Sequence, residues 1–165
     1  MRIKLAPSSL TSKTSKISNQ YFHIVLFIGL ILSIFCAPKA YAVNVGTDTT
    51  LNADTTDIQQ SINVDDVTLT NNAVLNLTNA NNTVLVQTQD GVTVTNNSGA
   101  SIINSNSTSA IRGLTATNLT VNNSGTIQST NTFGMFITAN STATINNNSG
   151  ATITATNSTV VFADS

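Results

Sequence analysis

One internal register constrains this chain more than any other feature. Asp65-Asp66-Val67-Thr68-Leu69-Thr70-Asn71-Asn72 returns 25 residues later as Asp90-Gly91-Val92-Thr93-Val94-Thr95-Asn96-Asn97, with six of eight positions identical. An asparagine pair then recurs in Asn96-Asn97-Ser98-Gly99, Asn122-Asn123-Ser124-Gly125 and Asn147-Asn148-Ser149-Gly150, so the glycines stand 26 and 25 residues apart. A fixed period in this range is the signature of stacked supersecondary units, each burying its apolar face against its neighbours.

Within each period the apolar residues fall into three short groups at nearly constant offsets. The first is Leu75/Leu77, Ile102, Ile127 and Ile153. The second is Val84 to Val86, Ala110/Ile111, Met135 to Ile137 and Val160 to Phe162, and the third is Val67/Leu69, Val92/Val94, Leu119/Val121 and Ala143/Ile145. Alternation such as Val92-Thr93-Val94-Thr95 places one face inward at period two, and β-branched residues suit a pleated surface. Three strands per period predict an all-β fold, a parallel β-helix of about four to five coils, in which each strand bonds to its equivalent about 4.8 Å along the axis. Right-handed coiling is expected from the steric preference for right-handed crossovers. The predicted core includes Val94, Ile102, Ile127, Phe136, Ile145 and Ile153.

The polar repeats fit the same stack. An Asn above an Asn can pass amide hydrogen bonds along the axis, and the predicted ladder is Asn71, Asn96, Asn122 and Asn147. Gly99, Gly125 and Gly150 are predicted to turn the corners, where glycine accepts positive φ. Ala73-Val74 replaces Ser-Gly in the first copy, so that corner should differ. Residues 65–165 are thus the repeats. Residues 43–64 match poorly and are expected to cap the first coil, whose strand edges would otherwise stand open. Val160-Val161-Phe162 is followed only by Ala163-Asp164-Ser165, which predicts an apolar open end and self-association there, or a piece of something longer.

Residues 1–42 read as a signal peptide carrying a helix. A polar, basic stretch leads into the apolar run Tyr21 to Phe35, and Ala40-Tyr41-Ala42 supplies the small residues needed for cleavage before Val43. About fifteen apolar residues fall short of the roughly 20 that span a bilayer, and Pro38 follows. The alternative is an uncleaved membrane anchor. Cys36, the single cysteine, lies in this leader after the bulky Phe35, which argues against lipid attachment, and His23 there is a tolerated member of the apolar run. The exported part would hold no disulfide. An exported product points to the periplasm, the cell surface or the exterior.

The charge is partitioned just as sharply. Beyond residue 42 the acids are Asp48, Asp54, Asp57, Asp65, Asp66, Asp90 and Asp164, and Arg112 is the sole base, for a formal charge of about −6. Phosphate neutralisation needs Lys and Arg, so nucleic acid is not an expected partner.

The recurring order of Thr, apolar residue, Asn, Ser-Gly, Ile and a later apolar cluster over residues 65–162, most specific at Asn96 to Gly99, Asn122 to Gly125 and Asn147 to Gly150, resembles the passenger domain of bacterial autotransporters of Gram-negative cells. The resemblance implies a right-handed β-helix displayed or released outside the outer membrane, often in adhesion or aggregation. The family's translocating barrel needs a dozen or so strands of about ten residues, and no such segment follows here. Contact with a membrane is therefore expected only through an uncleaved leader or a missing barrel.

Beyond residue 42 there is no His, Cys, Glu, Lys, Tyr or Trp, which removes most general bases, nucleophiles and metal ligands. No enzyme, catalytic residue or cofactor is predicted. The one carboxylate pair is Asp65 with Asp90, stacked one coil apart; it could bind Ca²⁺ or resemble a glycosidase pair, but Asp before a strand more often bonds its own turn. Arg112 beside Gly113 reads as a solvated turn, with contact to an acidic sugar as the alternative. Phe133, Met135, Phe136 and Phe162 read as second-strand core, with a binding groove as the alternative. Asn-x-Ser/Thr triplets at Asn81 and Asn122 are chance matches in so Ser/Thr-rich a chain.

Three functional readings follow. The first is an exported structural or interaction protein, resembling an adhesin-like passenger fragment, whose surface meets carbohydrate, a host cell or itself. The others are a carbohydrate-binding or carbohydrate-cleaving β-helix, and a truncated reading frame without independent function.

Overall fold

The computed structural model describes residues 41–79, 81–138 and 142–163; the predicted leader up to Ala40 lies outside the described residues. Asn, Ser and Gly break the described chain every few residues and Val, Ile and Thr fill the stretches between, so it forms strands of two to five residues. They arise in threes: β1 (Tyr41–Val45), β2 (Thr49–Leu51), β3 (Thr55–Thr56); β4 (Ile58–Ile62), β5 (Thr68–Asn71), β6 (Val74–Leu77); β7 (Val84–Val86), β8 (Thr93–Asn96), β9 (Ser101–Asn104). There follow β10 (Ile111–Gly113), β11 (Leu119–Asn123), β12 (Thr126–Ser129); β13 (Met135–Ile137), β14 (Ala143–Asn147), β15 (Thr152–Ala155); and β16 (Val161–Ala163).

Each strand pairs in parallel with the strand three places on. The result is a six-stranded first sheet, β1-β4-β7-β10-β13-β16, and two five-stranded sheets, β2-β5-β8-β11-β14 and β3-β6-β9-β12-β15. This is the predicted three-sided parallel β-helix, with one predicted apolar group per sheet.

The inward rows run along the axis. Leu69, Val94, Val121 and Ile145 stack in the second sheet, and Leu75, Ile102, Ile127 and Ile153 in the third. Val84, Ile111, Met135 and Val161 stack in the first. Val94, Ile102 and Ile127 are fully buried, whereas Ile145 and Ile153, in the last coil, are only partly buried against that core. Phe136 departs from its expected place. Met135 and Ile137 point inward, so alternation turns Phe136 outward, opposite Arg112 in the register.

Residues 43–64 form the first coil and the start of the next. They belong to strands β1 to β4 and continue all three sheets. Their coil is short: Asn52 and Asn72, one coil apart, lie 20 residues apart, whereas the later rungs of the buried ladder are 24 to 27 apart. A 25-residue comparison therefore slides past it. The first coil also ends the core with hydroxyls, since Thr49 stacks on Leu69 and Thr55 on Leu75. β1 includes Ala42 and Val43, which register with Gln59 and Gln60, so the predicted cleavage bond lies within a strand.

The buried polar row is a continuous amide ladder. Asn71 Nδ2 donates to Asn96 Oδ1 at 2.9 Å, Asn96 Nδ2 to Asn123 Oδ1 at 2.8 Å, and Asn123 Nδ2 to Asn147 Oδ1 at 2.7 Å. Asn71, Asn96 and Asn123 are fully buried. Each also donates to a backbone carbonyl one coil on, namely Ser101, Thr126 and Thr152. The ladder thus runs through Asn123, and the predicted Asn122 faces outward, where it accepts from Asn146 at 2.9 Å. Leu119 and Val121 are inward, and period two makes Asn123 the next inward position.

The corners explain the shift. Asn97 O accepts from Ala100 N and Asn148 O from Ala151 N, closing turns in which Gly99 and Gly150 hold φ of +80° and +82°. Gly125 does not share that conformation, because β11 runs to Asn123 and β12 starts at Thr126, leaving room for only Ser124 and Gly125. A Cβ on Gly125 would lie 2.2 Å from Ala100 O and 2.6 Å from Asn97 O, so close approach of backbones is what demands glycine there. The first corner, at Ala73, turns without glycine, with Asn71 Oδ1 accepting from Ala73 N.

Two stability outcomes follow. Ile127→Asp should abolish the cooperative melt of the middle coils, because it buries an unpaired charge in a stacked row; an unchanged circular dichroism melt would show the inward rows to be misassigned. Asn123→Ala removes the acceptor of two buried donors, Asn96 Nδ2 and the Gly125 amide, and should cost about 2–5 kcal/mol in urea denaturation, whereas Asn122→Ala should stay within about 0.5–1 kcal/mol.

Candidate functional site

The Asp residues first. Five of the six described ones occupy corners and accept hydrogen bonds from the following coil. Asp48 Oδ1 accepts from Thr68 N at 2.8 Å, Asp54 from Val74 N at 2.8 Å, and Asp57 from Thr78 N at 2.8 Å and Thr78 Oγ1 at 2.6 Å. Asp65 Oδ1 accepts from Asp90 N at 2.9 Å, and Asp90 Oδ1 from Asn118 Nδ2 at 2.8 Å. Asp65 and Asp90 do stack, but as links in a chain of corner bonds, the turn role that Asp side chains ordinarily serve. Asp66, at φ +55°, lies against Gly91, itself at φ +68°.

Hydrogen bonding lowers the pKa of two of these carboxyls. The Thr78 hydroxyl, then the Thr78 amide, hold the Asp57 carboxyl below the ordinary carboxylate range. Asp90 is lowered by the Asn118 side chain first and the Thr117 side chain second. A carboxyl whose pKa is depressed on folding stabilises the fold above its unfolded value of about 3.8 and loses that contribution as pH falls through the folded value.

A different place gathers the chemistry that the corners lack. On the outward face of the first sheet, Ser61, Leu85, Arg112 and Phe136 register in one row. Arg112, predicted as a turn residue, lies within β10, and its Cζ stands 5.2 Å from the centroid of the Phe136 ring. The rings of Phe133 and Phe136 stack with centroids 5.1 Å apart and planes 29° apart. Beside them the turn from the third sheet into the first opens a cleft of about 180 Å³. Arg112, Phe133 and Phe136 line it, and Asn82, Ser107, Thr108, Ser109 and Thr132 contribute polar lining from three successive coils.

That polar lining is held from behind. Ser109 N donates to Asn82 Oδ1 at 3.2 Å, Asn104 Nδ2 to Thr108 Oγ1 at 3.1 Å, and the Thr108 hydroxyl to Asn81 O. Ser129 Oγ donates to Thr108 O at 3.1 Å and lies 3.3 Å from Thr132 Oγ1. The Arg112 Nε is buried and makes no hydrogen bond.

Sequence reasoning held the two halves of this cleft apart. Arg112 was expected at a turn, and the phenylalanines in the core, although alternation around Met135 was the signal that turns Phe136 outward. Among the described residues no group of three or more His, Cys, Asp or Glu gathers as a metal site would require. No family model, no curated protein and no solved structure matches this chain.

The melting temperature should be flat from pH 7 to about pH 5 and fall between about pH 4 and pH 2 as Asp57 and Asp90 protonate. Asp57→Asn combined with Asp90→Asn should shrink that acid-induced drop. An unaltered drop would place the acid sensitivity elsewhere.

Proposed function

We propose that this chain is an exported interaction protein, a rigid β-helical module of the autotransporter-passenger kind that acts in adhesion at the cell exterior through the side of its first sheet. The tripartite leader and the self-similar repeat support export and display. The observation that carries the binding reading is one of placement. Beyond residue 42 the chain has a single cation and three aromatic side chains, and the cation and two of those aromatics stand together at one cleft. A shuffled surface of Thr, Asn and Ser has no structural need for that coincidence.

Aromatic rings and arginine concentrate at binding surfaces because each offers a large apolar area together with directed polar contacts. Rigid β-sheet backing under such residues limits the side-chain ordering that binding has to overcome. The acidic corners serve the other end of the task, keeping a long, hydroxyl-rich surface soluble without attracting nucleic acid.

Fractionation of an expressing Gram-negative cell, with mass spectrometry of the product's N-terminus, tests export, and a product beginning at Val43 outside the cytoplasm is expected. An intact Met1 in the inner membrane would replace this reading with an anchored protein. Beads coated with the purified product should adhere to a cell layer, and Phe136→Ser should reduce that adhesion severalfold while leaving the melting curve in place. Equal adhesion by both proteins would remove the first-sheet face from the reading.

A further inference from the structure

We infer that the cleft beside Arg112 takes the carboxylate-bearing ring of an acidic sugar, an inference that rests on the binding reading of that face. Four observations carry it. The cleft is small: about 180 Å³ is below the roughly 300 Å³ at which pockets for drug-sized ligands begin, so a single ring fits and an extended peptide does not. Its lining is of two kinds. Phe133 and Phe136 contribute an apolar surface that suits the C–H face of a pyranose, and Asn82, Thr108 and Thr132 contribute hydroxyl and amide groups of the kind that meet sugar hydroxyls.

The third observation is the guanidinium. Arginine offers five N–H donors in a planar fork and no acceptor, so it matches a carboxylate through two parallel bonds. Here Nε is buried without a hydrogen bond and out of a ligand's reach, so a carboxylate would meet the two Nη groups, and the contact the protein supplies to the guanidinium is the Phe136 ring. A charged group held in place by an aromatic ring, lining an open cleft, and short of acceptors is arranged for an anion.

The fourth is the distribution of charge. Between Gly91 and Ala163 Arg112 is the only charged residue. Asp65, Asp66 and Asp90 gather at the corner from the first sheet into the second, and Asp57, which stands between β3 and β4 on the same edge as the cleft, precedes Arg112 by two coils, about 10 Å along the axis. Exposed charges beyond about 8 Å are largely screened at physiological salt, so the acidic corners do not cancel the attraction at the cleft.

The test is a titration of the full exported protein with digalacturonate, its methyl ester, neutral galactobiose and acetate, read by calorimetry and by amide chemical shifts. Digalacturonate should bind with shifts centred on Ser107–Arg112 and Thr132–Phe136, and the ester and galactobiose should bind at least about tenfold more weakly. Arg112→Gln, checked for an unchanged melt, should lose the same factor and the salt dependence. Equal binding of galactobiose, equal binding by Arg112→Gln, or shifts centred elsewhere would overturn the inference. Acetate binding as tight as digalacturonate would reduce the cleft to an anion contact and overturn it too. Bead adhesion that depends on Arg112 without digalacturonate binding would sink the sugar assignment and leave the interaction reading standing; digalacturonate binding without adhesion would do the reverse.

Discussion

Each coil of this protein depends on the coil beside it, because the hydrogen bonds of its strands leave the coil altogether. The strand backbones bond to equivalents one turn away, and the buried asparagines do the same with their side chains. A buried amide without partners costs about 1–3 kcal/mol, so Asn71, Asn96 and Asn123 are tolerable in the interior only because each finds the next Asn and a carbonyl in the same direction. A slip by one residue in any strand would turn the whole inward set outward and orphan those amides. The ladder therefore fixes register as much as it adds stability.

The two ends of the stack differ in how they close that dependence. At the first coil the inward rows change from Leu69 and Leu75 to Thr49 and Thr55, and Leu51 stands where the ladder would otherwise continue beyond Asn71. Two apolar rows give way to threonine there. In the last described coil Ile145, Ile153 and Val161 remain apolar and only partly buried. A further coil, from this chain or another, would find a matching surface on that side.

Uniform stacking on the inside leaves the outside free to vary, and the candidate site exploits that freedom. Thr and Ser occupy many outward positions, Asn76, Ile103 and Gln128 replace them in one row of the third sheet, and Leu85, Arg112 and Phe136 replace them in one row of the first. Corner turns from three coils then converge on the same place, with Asn104 and Ser129 bracing the lining from behind. The site is thus assembled across coils rather than within a motif.

Repetition along the chain is enough to specify the solenoid: period, three strands per turn, the inward rows through Val94, Ile102 and Ile127, and a ladder of asparagines, since stacked copies must repeat whatever faces the core. The sequence also marked Asp65 and Asp90 as turn residues. The tertiary structure decided what repetition does not encode. Corner length chose Asn123 over Asn122, because two residues were lost after β11 while the strand kept its alternation. A short first coil made residues 43–64 part of the stack, and the crowding of Ala100 and Asn97 carbonyls, rather than a positive φ, made Gly125 necessary. The cleft was hidden for the same reason: Asn82, Arg112 and Phe136 are far apart along the chain, and only the register between coils brings them to one cleft.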